Sequence, residues 1–285
     1  MNIKQVLILY KQSTFKHFFS SRSHENPFKN QPIAKRFIKT HEEHYKTLAN
    51  VEHFFKTHDI GYSKLLRGRK ADLSKYDLIV TVGGDGTFLE GAAQAKSQLM
   101  LGINSDPQWS VGRFCSANNQ NFAKMVLNTL QGQHQTRTFN RMKISFSQRR
   151  AEVISLNDIL VCHRNPAAMS RYYLQFRGQT EEQRSSGVWV ATAAGSTGAL
   201  RSAGGKVLPE ESTDLQFVAR ELYCGKNGRA SHRAAIFHAK EQLRITSLMK
   251  DGVVYVDGSH VCLPFPFGEK ITIRKSSHPL KVVVA

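Results

Sequence analysis

The sequence predicts an α/β N-terminal domain built on a parallel sheet, followed by a β-rich C-terminal domain. Three observations carry this. Continuous apolar runs at Val6–Leu9, Leu78–Val82 and Leu99–Ile103 read as strands buried on both faces. Segments of helical period lie between and after those runs, the alternation expected of a parallel sheet. After Thr138 the texture changes to short β-branched or aromatic runs separated by turn residues. The expected boundaries are 1–137 for the first domain and 138–273 for the second. A last run, Leu280–Val284, within the final stretch of about 274–285, suits a strand of either domain.

In chain order, Val6–Leu9 is the first strand. A polar, basic stretch from about Ser13 to Gln31 reads as a loop, with Pro27 and Pro32 breaking any helix. From about Ile33 to His58, the residues Phe37, Tyr45, Leu48, Val51 and Phe55 recur at three- and four-residue steps or their multiples. That spacing predicts a helix with one face on the core, stopped near Gly61. His41, His44, His53 and His58 decorate it without the His-Glu-x-x-His order of a metal site, and read as a solvated face. The second strand runs into a glycine turn, and the third ends at Asn104-Ser105-Asp106-Pro107. A helix over about Asn118–Leu130 then places Phe122, Val126 and Leu130 on one side, ahead of Gly132. Beyond Thr138, strands are expected at Met142–Phe146, Tyr172–Phe176, Val188–Thr192, Leu215–Val218, Leu243–Thr246, Val253–Val256 and Ile271–Ile273.

Bulk properties narrow the function. Forty Lys and Arg against 22 Asp and Glu give a formal net charge of +18, which attracts polyanions. The basic residues are scattered; the denser patches, Lys64–Lys70 and Arg141–Arg150, are interrupted and match no nucleic-acid module. Cys115, Cys162, Cys224 and Cys262 are too far apart for a zinc or redox pair, and read as reduced thiols of a cytoplasmic protein. The apolar stretch at the N-terminus is short for a signal peptide, and no run approaches the roughly 18 apolar residues of a membrane span. Neither nucleic acid nor a membrane is therefore expected as a partner.

Two small-residue stretches carry the candidate chemistry. The first is Thr81-Val82-Gly83-Gly84-Asp85-Gly86-Thr87-Phe88-Leu89, a buried strand that ends in a tight turn and opens a helix. Its glycines permit positive φ and close backbone approach, and its N–H groups at a helix start suit phosphate. Asp85 in that cradle makes sense if it holds Mg²⁺ or accepts a proton from a hydroxyl; the plainer reading is a helix N-cap. In α/β sheets ligands bind beyond the carboxyl ends of the strands, where both this turn and Asn104 lie. The second stretch, Ala191–Gly205, offers backbone N–H groups and the hydroxyls of Ser196, Thr197 and Ser202 to a nucleotide. Between the two, Asn157 and Asp158 sit in an apolar run. Buried groups of this kind need partners, either a structural turn or the amine and ribose hydroxyls of a bound base.

With Gly83–Thr87, Asn157-Asp158 and Gly195–Gly205 in this order, the chain resembles the NAD kinase family from about residue 75 to the end. Gly-Gly-Asp-Gly-Thr alone is shared with diacylglycerol, sphingosine and phosphofructokinase-type kinases. The family's third motif, approximately Thr-Pro-Thr-Gly-Ser-Thr-Ala-Tyr followed by Ser-x-x-Gly-Gly, is matched by Thr192, Gly195, Ser196, Thr197, Ser202, Gly204 and Gly205. Val256-Asp257-Gly258 and Gly268–Ile273 are similar to its closing strands. The resemblance implies an NAD kinase-like two-domain architecture whose final strand returns to the first domain. It also implies transfer of the γ-phosphoryl of ATP to the 2′-hydroxyl of the adenosine ribose of NAD. In that scheme Asp85 contacts the accepting hydroxyl as base or through Mg²⁺ brought with ATP. Gly83, Gly84, Gly86, Thr87 and Asn104 hold phosphates and nucleotide, and Asn157, Asp158, Ser186, Thr192, Thr197 and Ser202 hold the dinucleotide. Three departures resemble the mitochondrial-type branch, which tends to be dimeric, so a homodimer is expected. Ser185-Ser186-Gly187 replaces Gly-Asp-Gly, Ala199 replaces the motif's Tyr, and the loop from Asn104 to Cys115 is longer. The competing readings are a kinase of a lipid or sugar alcohol on the same scaffold, and a nucleotide-binding regulator without catalysis.

Overall fold

The first apolar run forms β1 (Val6–Tyr10), followed by a short helix, α1 (Thr14–Phe19), and a long one, α2 (Pro32–Thr57). Then come β2 (Tyr62–Leu66), β3 (Leu78–Gly83), α3 (Asp85–Gln94), β4 (Leu99–Asn104), the two-residue β5 (Ala117–Asn118), α4 (Phe122–Leu130) and β6 (Gln135–Phe139). The structure is a computed structural model that describes residues 3–19, 32–69, 71–224 and 232–285. Twelve further strands follow in order: β7 (Met142–Phe146), β8 (Glu152–Ser155), β9 (Asp158–His163), β10 (Ser170–Phe176), β11 (Gln179–Ser185), β12 (Val188–Ala191), β13 (Leu215–Ala219), β14 (Ala234–Phe237), β15 (Leu243–Ser247), β16 (Gly252–Val256), β17 (Val261–Pro264) and β18 (Lys270–Lys275). A 3₁₀ turn (Ala194–Thr197) and α5 (Ala199–Ser202) separate β12 from β13, and β19 (Leu280–Val284) ends the chain. Two compact units result, Met1–Arg137 with Leu280–Ala285, and Thr138–Pro279.

In the first unit the strands run in the order β2-β1-β3-β4-β19-β6, with β5 beside β4. Pairing is parallel between β1 and β2, β1 and β3, β3 and β4, and β4 and β19. The continuous apolar runs are explained by burial on both sides. Ile8, Val80 and Leu101 pack with Leu48, Val51 and Phe55 of α2 and Phe122 and Val126 of α4. On the other face α3 lies so close that a Cβ on Gly91 would come within 3.0 Å of Met100 Cε and 3.2 Å of Leu9 Cδ2. From β1 the chain moves outward to β2, and from β3 it moves the opposite way to β4. The carboxyl ends of β1 and β3 therefore flank a topological switch point. The last run, which suits either domain on sequence grounds, enters this sheet, with Val282 opposite Met100.

The stretch expected to be a loop from Ser13 contains α1. Ser13 Oγ accepts a hydrogen bond from Lys16 N at 3.1 Å, the N-cap geometry that starts a helix. Pro27 and the rest of residues 20–31 lie outside the described residues.

The second unit holds two six-stranded sheets, β11-β10-β15-β18-β7-β8 and β14-β13-β12-β9-β16-β17. Ile144, Leu174 and Ile271 of one and Val161, Val190 and Phe217 of the other share a single apolar core. Every strand expected here is present. The polar β11 is an addition, paired with β10 from Ser170↔Ser185 to Phe176↔Gln179. Its hairpin turns at Arg177 (φ 49°) and Gly178 (φ 79°), two positive-φ residues whose twist matches the strands.

Candidate active site

In the first unit β3 ends at Gly83 and α3 begins at Asp85, with Gly84 as the N-cap residue at φ −118°. The glycines are required by close approach, since Gly83, Gly84 and Gly86 all lie outside the positive-φ region. A Cβ on Gly83 would overlap the Thr87 hydroxyl, one on Gly84 would sit 2.5 Å from Ser110 Oγ, and one on Gly86 3.1 Å from Arg67 Nη1.

Asp85 is half-exposed in the first turn of α3 and does not cap the helix. Its Oδ1 accepts a hydrogen bond from Phe114 N at 2.9 Å, and its Oδ2 has no partner among the described residues. Phe114 is itself fixed, its ring stacked on Phe88 at 5.4 Å between centroids. The long loop after β4 thus folds back and aims the carboxylate. Mg²⁺ held through substrate phosphates needs one or two carboxylate oxygens, and a free Oδ2 fits that role. No cluster of three or more His, Cys, Asp or Glu forms a metal cage among the described residues.

Two of the expected phosphate ligands are placed differently. Thr87 is fully buried beneath the turn, and its hydroxyl has no hydrogen-bond partner among the described residues. Asn104 is buried opposite Gly83 in the β3–β4 register and braces the following loop, donating to Ser110 O at 3.0 Å and accepting from Asp106 N at 3.1 Å. Gly112 (φ 59°) belongs to the same brace, since a Cβ there would overlap the Asn104 amide.

His44, expected on a solvated face, is completely buried. Its Nε2 lies 2.8 Å from Lys11 O, which only accepts, so the proton is on Nε2. Nδ1 must then accept from Ser105 Oγ, 2.9 Å away. Burial pushes the imidazole pKa down to about 4, keeping the ring neutral in this arrangement. The signal was present: His44 is spaced four, seven and eleven residues before Leu48, Val51 and Phe55, on the core-facing stripe.

In the second unit Asn157 lies in the turn between β8 and β9, and Asp158 opens β9 opposite Ala191. Asn157 Nδ2 donates to Asp158 Oδ2 at 3.0 Å. Thr192 ties the turn down, its hydroxyl donating to Leu156 O at 2.6 Å and its N–H to Asn157 O at 3.0 Å. Gly195 is obligatory because any Cβ would overlap Asn157 O, while Gly198 faces Asp158 Oδ2, 3.6 Å from where its Cβ would be. Ser196 is buried and bonded to Ala193 O and Leu208 N. Thr197 and Ser202 are exposed on the 3₁₀ turn and α5. Asn157, Asp158, Thr192 and Gly195–Gly198 are thus brought together. Ser186 is not: it precedes Val188, which pairs with Val161, at the end of β12 away from Asp158. About 10 Å of strand lies between those ends.

The residue that sequence reasoning missed is Asp257, just past β16. Its carboxylate accepts from Ser155 Oγ (2.7 Å), Leu156 N (3.0 Å), Asn157 N (2.7 Å) and Asp158 N (3.2 Å). Its own N–H donates to Asp158 O at 2.9 Å, and its φ of 50° closes the turn. An Asp-Gly pair marks a turn, but nothing local names partners a hundred residues earlier. Burial pushes the Asp158 pKa up to about 7, and the Asp257 charge adds to that rise. Burial raises Asp257 as well, against the four donors that favour its ionised form. Burial therefore favours the protonated form of both carboxyls, opposed at Asp257 by its four donors.

An α/β unit on a parallel sheet followed by a β-rich unit is a fold shared with two solved structures. The chain matches the yeast NADH kinase complexed with NADH with a TM-score of 0.74 at 15% identity, covering 100% of this chain and 84% of that one. It matches the Archaeoglobus fulgidus NAD kinase in complex with ATP with a TM-score of 0.67 at 23% identity, covering 98% and 92%. At these identities the likeness is one of fold. Residues 156–285 match the model of the ATP-NAD kinase C-terminal domain. A rice (Oryza sativa subsp. japonica) protein named "Probable NADH kinase" is 34% identical over 230 residues, covering 73% of this chain and 71% of the relative. The chain belongs to the NAD kinase family.

Proposed function

We propose that the chain transfers the γ-phosphoryl of ATP to the 2′-hydroxyl of the adenosine ribose of NAD or NADH, giving NADP or NADPH. The observation that carries this is Asp85, held by Phe114 N through one oxygen and presenting the other at a glycine turn. Phosphoryl transfer depends on positioning and charge neutralisation more than on covalent chemistry. As base, Asp85 Oδ2 orients the acceptor hydroxyl and takes its proton while the new O–P bond forms and the γ-phosphorus parts from the β–γ bridging oxygen, releasing ADP. The N–H groups at the start of α3 face the phosphates, with Gly83, Gly84 and Gly86 leaving room for them. Mg²⁺ brought with ATP would add charge neutralisation, and Asp85 Oδ2 is the protein oxygen that would hold it if the carboxylate acts through the metal instead of as base.

On this reading the first unit binds the phosphoryl donor and the second the dinucleotide. Asn157 and Asp158 meet the base and ribose, Thr197 and Ser202 the outer face of the ligand, and Thr192 holds the turn that presents them. Thr87 and Asn104 support the cradle from behind, and Ser186 contributes little. A cytoplasmic homodimer belongs to the same reading through the resemblance to dimeric members of the branch. No described helix is long and apolar enough to cross a membrane.

The test incubates the protein with Mg²⁺, γ-labelled ATP and either NAD or NADH. Labelled NADP or NADPH is expected. Transfer to some other alcohol, with neither dinucleotide labelled, would overturn the reading.

A further inference from the structure

Two cations stand at the switch point, each with donor atoms that no acceptor among the described residues engages. Lys11 follows β1 and Arg67 follows β2, whose N–H to Tyr10 O bond at 2.8 Å continues the ladder. Tyr10 is opposite both Leu66 and Val82, so Arg67, Lys11 and Gly83 emerge from three adjacent strands. Strand spacing places neighbouring exits about 5 Å apart. Arg67 is anchored through Nε, which donates to Glu90 Oε2 at 3.1 Å, while Glu90 Oε1 accepts from Gly68 N. Glu90 lies on α3, so the guanidinium is tied to the same helix that carries Asp85. Its Nη1 and Nη2 have no acceptor among the described residues, and they lie 3.1 and 3.2 Å from the position a Gly86 Cβ would take.

The Lys11 ammonium likewise has no hydrogen bond or ion pair among the described residues, although it is half-buried. Burial lowers its pKa, Asp106 opposes that, and Arg67 lowers it further, so the two cations are within electrostatic reach of each other. Burial and the Asp85 charge push the Cys115 thiol up, and Lys11 opposes them; Cys115 adjoins Phe114, whose N–H bonds Asp85. The backbone of Lys11 is pinned by the buried His44 through its carbonyl. Glu90 engages Arg67 only through Nε, so the open guanidinium fork and the nearby Lys11 ammonium still offer donors to a further anion.

We infer that Lys11 and Arg67 form a clamp for a polyphosphate chain, Arg67 forking two oxygens above Gly86 and Lys11 neutralising the phosphoryl nearest Asp85. A planar fork suits two phosphate oxygens, and an ammonium suits a point contact. Naming the chain as the β- and γ-phosphates of ATP rests on the proposed function; the clamp itself does not.

The experiment measures binding of inorganic tripolyphosphate and of ATP by calorimetry to the full chain and to Arg67→Gln, Arg67→Lys and Lys11→Met, with NADH binding and melting temperature as controls. Arg67→Gln and Lys11→Met are expected to weaken tripolyphosphate and ATP tenfold or more and to raise KM for ATP, leaving NADH affinity unchanged. Arg67→Lys is expected to recover part of the loss. Wild-type tripolyphosphate affinity in a folded Arg67→Gln or Lys11→Met variant would overturn the clamp. Clamp-dependent tripolyphosphate binding by a wild-type protein that phosphorylates neither NAD nor NADH would retain the clamp and overturn the activity instead.

Discussion

The strand edge of the first unit and the loop end of the second handle polar groups in opposite ways. At the strand edge, Asp85 gives one oxygen to Phe114 N and keeps the other open, and Arg67 gives Nε to Glu90 and keeps its fork open. In the second unit, Asp257 takes four donors, and Thr192 and Ser196 bond inward to the backbone. The difference separates groups positioned to act from groups positioned to hold. On the proposed function, what the second unit offers a ligand is Asn157, Asp158 and the exposed hydroxyls of Thr197 and Ser202.

The largest effect that would break this contrast is on stability. Asp257→Ala strips the acceptor from three backbone N–H groups and the Ser155 hydroxyl. Leaving such groups unpaired costs about 1–3 kcal/mol each when fully buried, and solvent reaches part of this site. The expected loss is about 4 kcal/mol in urea unfolding, against less than about 1 kcal/mol for a group that only touches ligand. A loss under 1 kcal/mol would move Asp257 from scaffold to ligand contact.

The two buried titrating groups sharpen the contrast through pH. His44 has its pKa lowered from 6.5 to about 4, so the unfolded chain binds more protons between those values. Its contribution is complete above pH 6.5 and is lost as pH falls toward 4. Asp158 has its pKa raised from 3.8 to about 7, so the native state binds more protons. Its contribution is complete below pH 3.8 and is lost as pH rises toward 7. Across its window the His44 shift is worth about 3 kcal/mol and the Asp158 shift about 4 kcal/mol, and between pH 4 and 6.5 the two slopes oppose. Asp158→Asn should therefore make stability climb more steeply with pH in that range, and His44→Gln should make it fall. Denaturant unfolding at half-unit pH steps reads both; parallel profiles for the three proteins would contradict the buried assignments.

The smallest effect concerns the exposed hydroxyls. Ser202→Ala should change stability by under about 0.5 kcal/mol, as for surface positions generally. It should raise KM for the dinucleotide while leaving KM for ATP unchanged. Steady-state kinetics with each substrate varied makes the comparison, and a rise in KM for ATP alone would reverse the roles of the two units.

The sequence exposes the parts of this molecule whose physics is local. Val6–Leu9, Leu78–Val82 and Leu99–Ile103 are legible because double-sided burial demands an unbroken apolar run. Gly83–Thr87 is legible because close backbone approach admits only glycine. β11 is obscured by its polar composition, since its register comes from β10 and the Arg177–Gly178 turn. α1 hides in a polar stretch that Ser13 caps. His44 reads as solvated when only the absence of a metal-site order is weighed, whereas its spacing from Leu48, Val51 and Phe55 places it inward. The bracing by Asp257, the aiming of Asp85 by Phe114 and the convergence of Lys11 with Arg67 depend on residues 29 to over 100 positions apart. Only the folded chain joins them.

The most direct test of the central claim, that Asp85 is placed for chemistry and not for structure, is the turnover number of Asp85→Asn alongside its melting temperature. The substitution keeps an acceptor for Phe114 N and removes the charge and the base. A fall in kcat of at least about 10²-fold, the usual worth of a positioned acid–base group, is expected with the melting temperature nearly unchanged. Turnover near that of the wild type, or a variant that fails to fold, would contradict it.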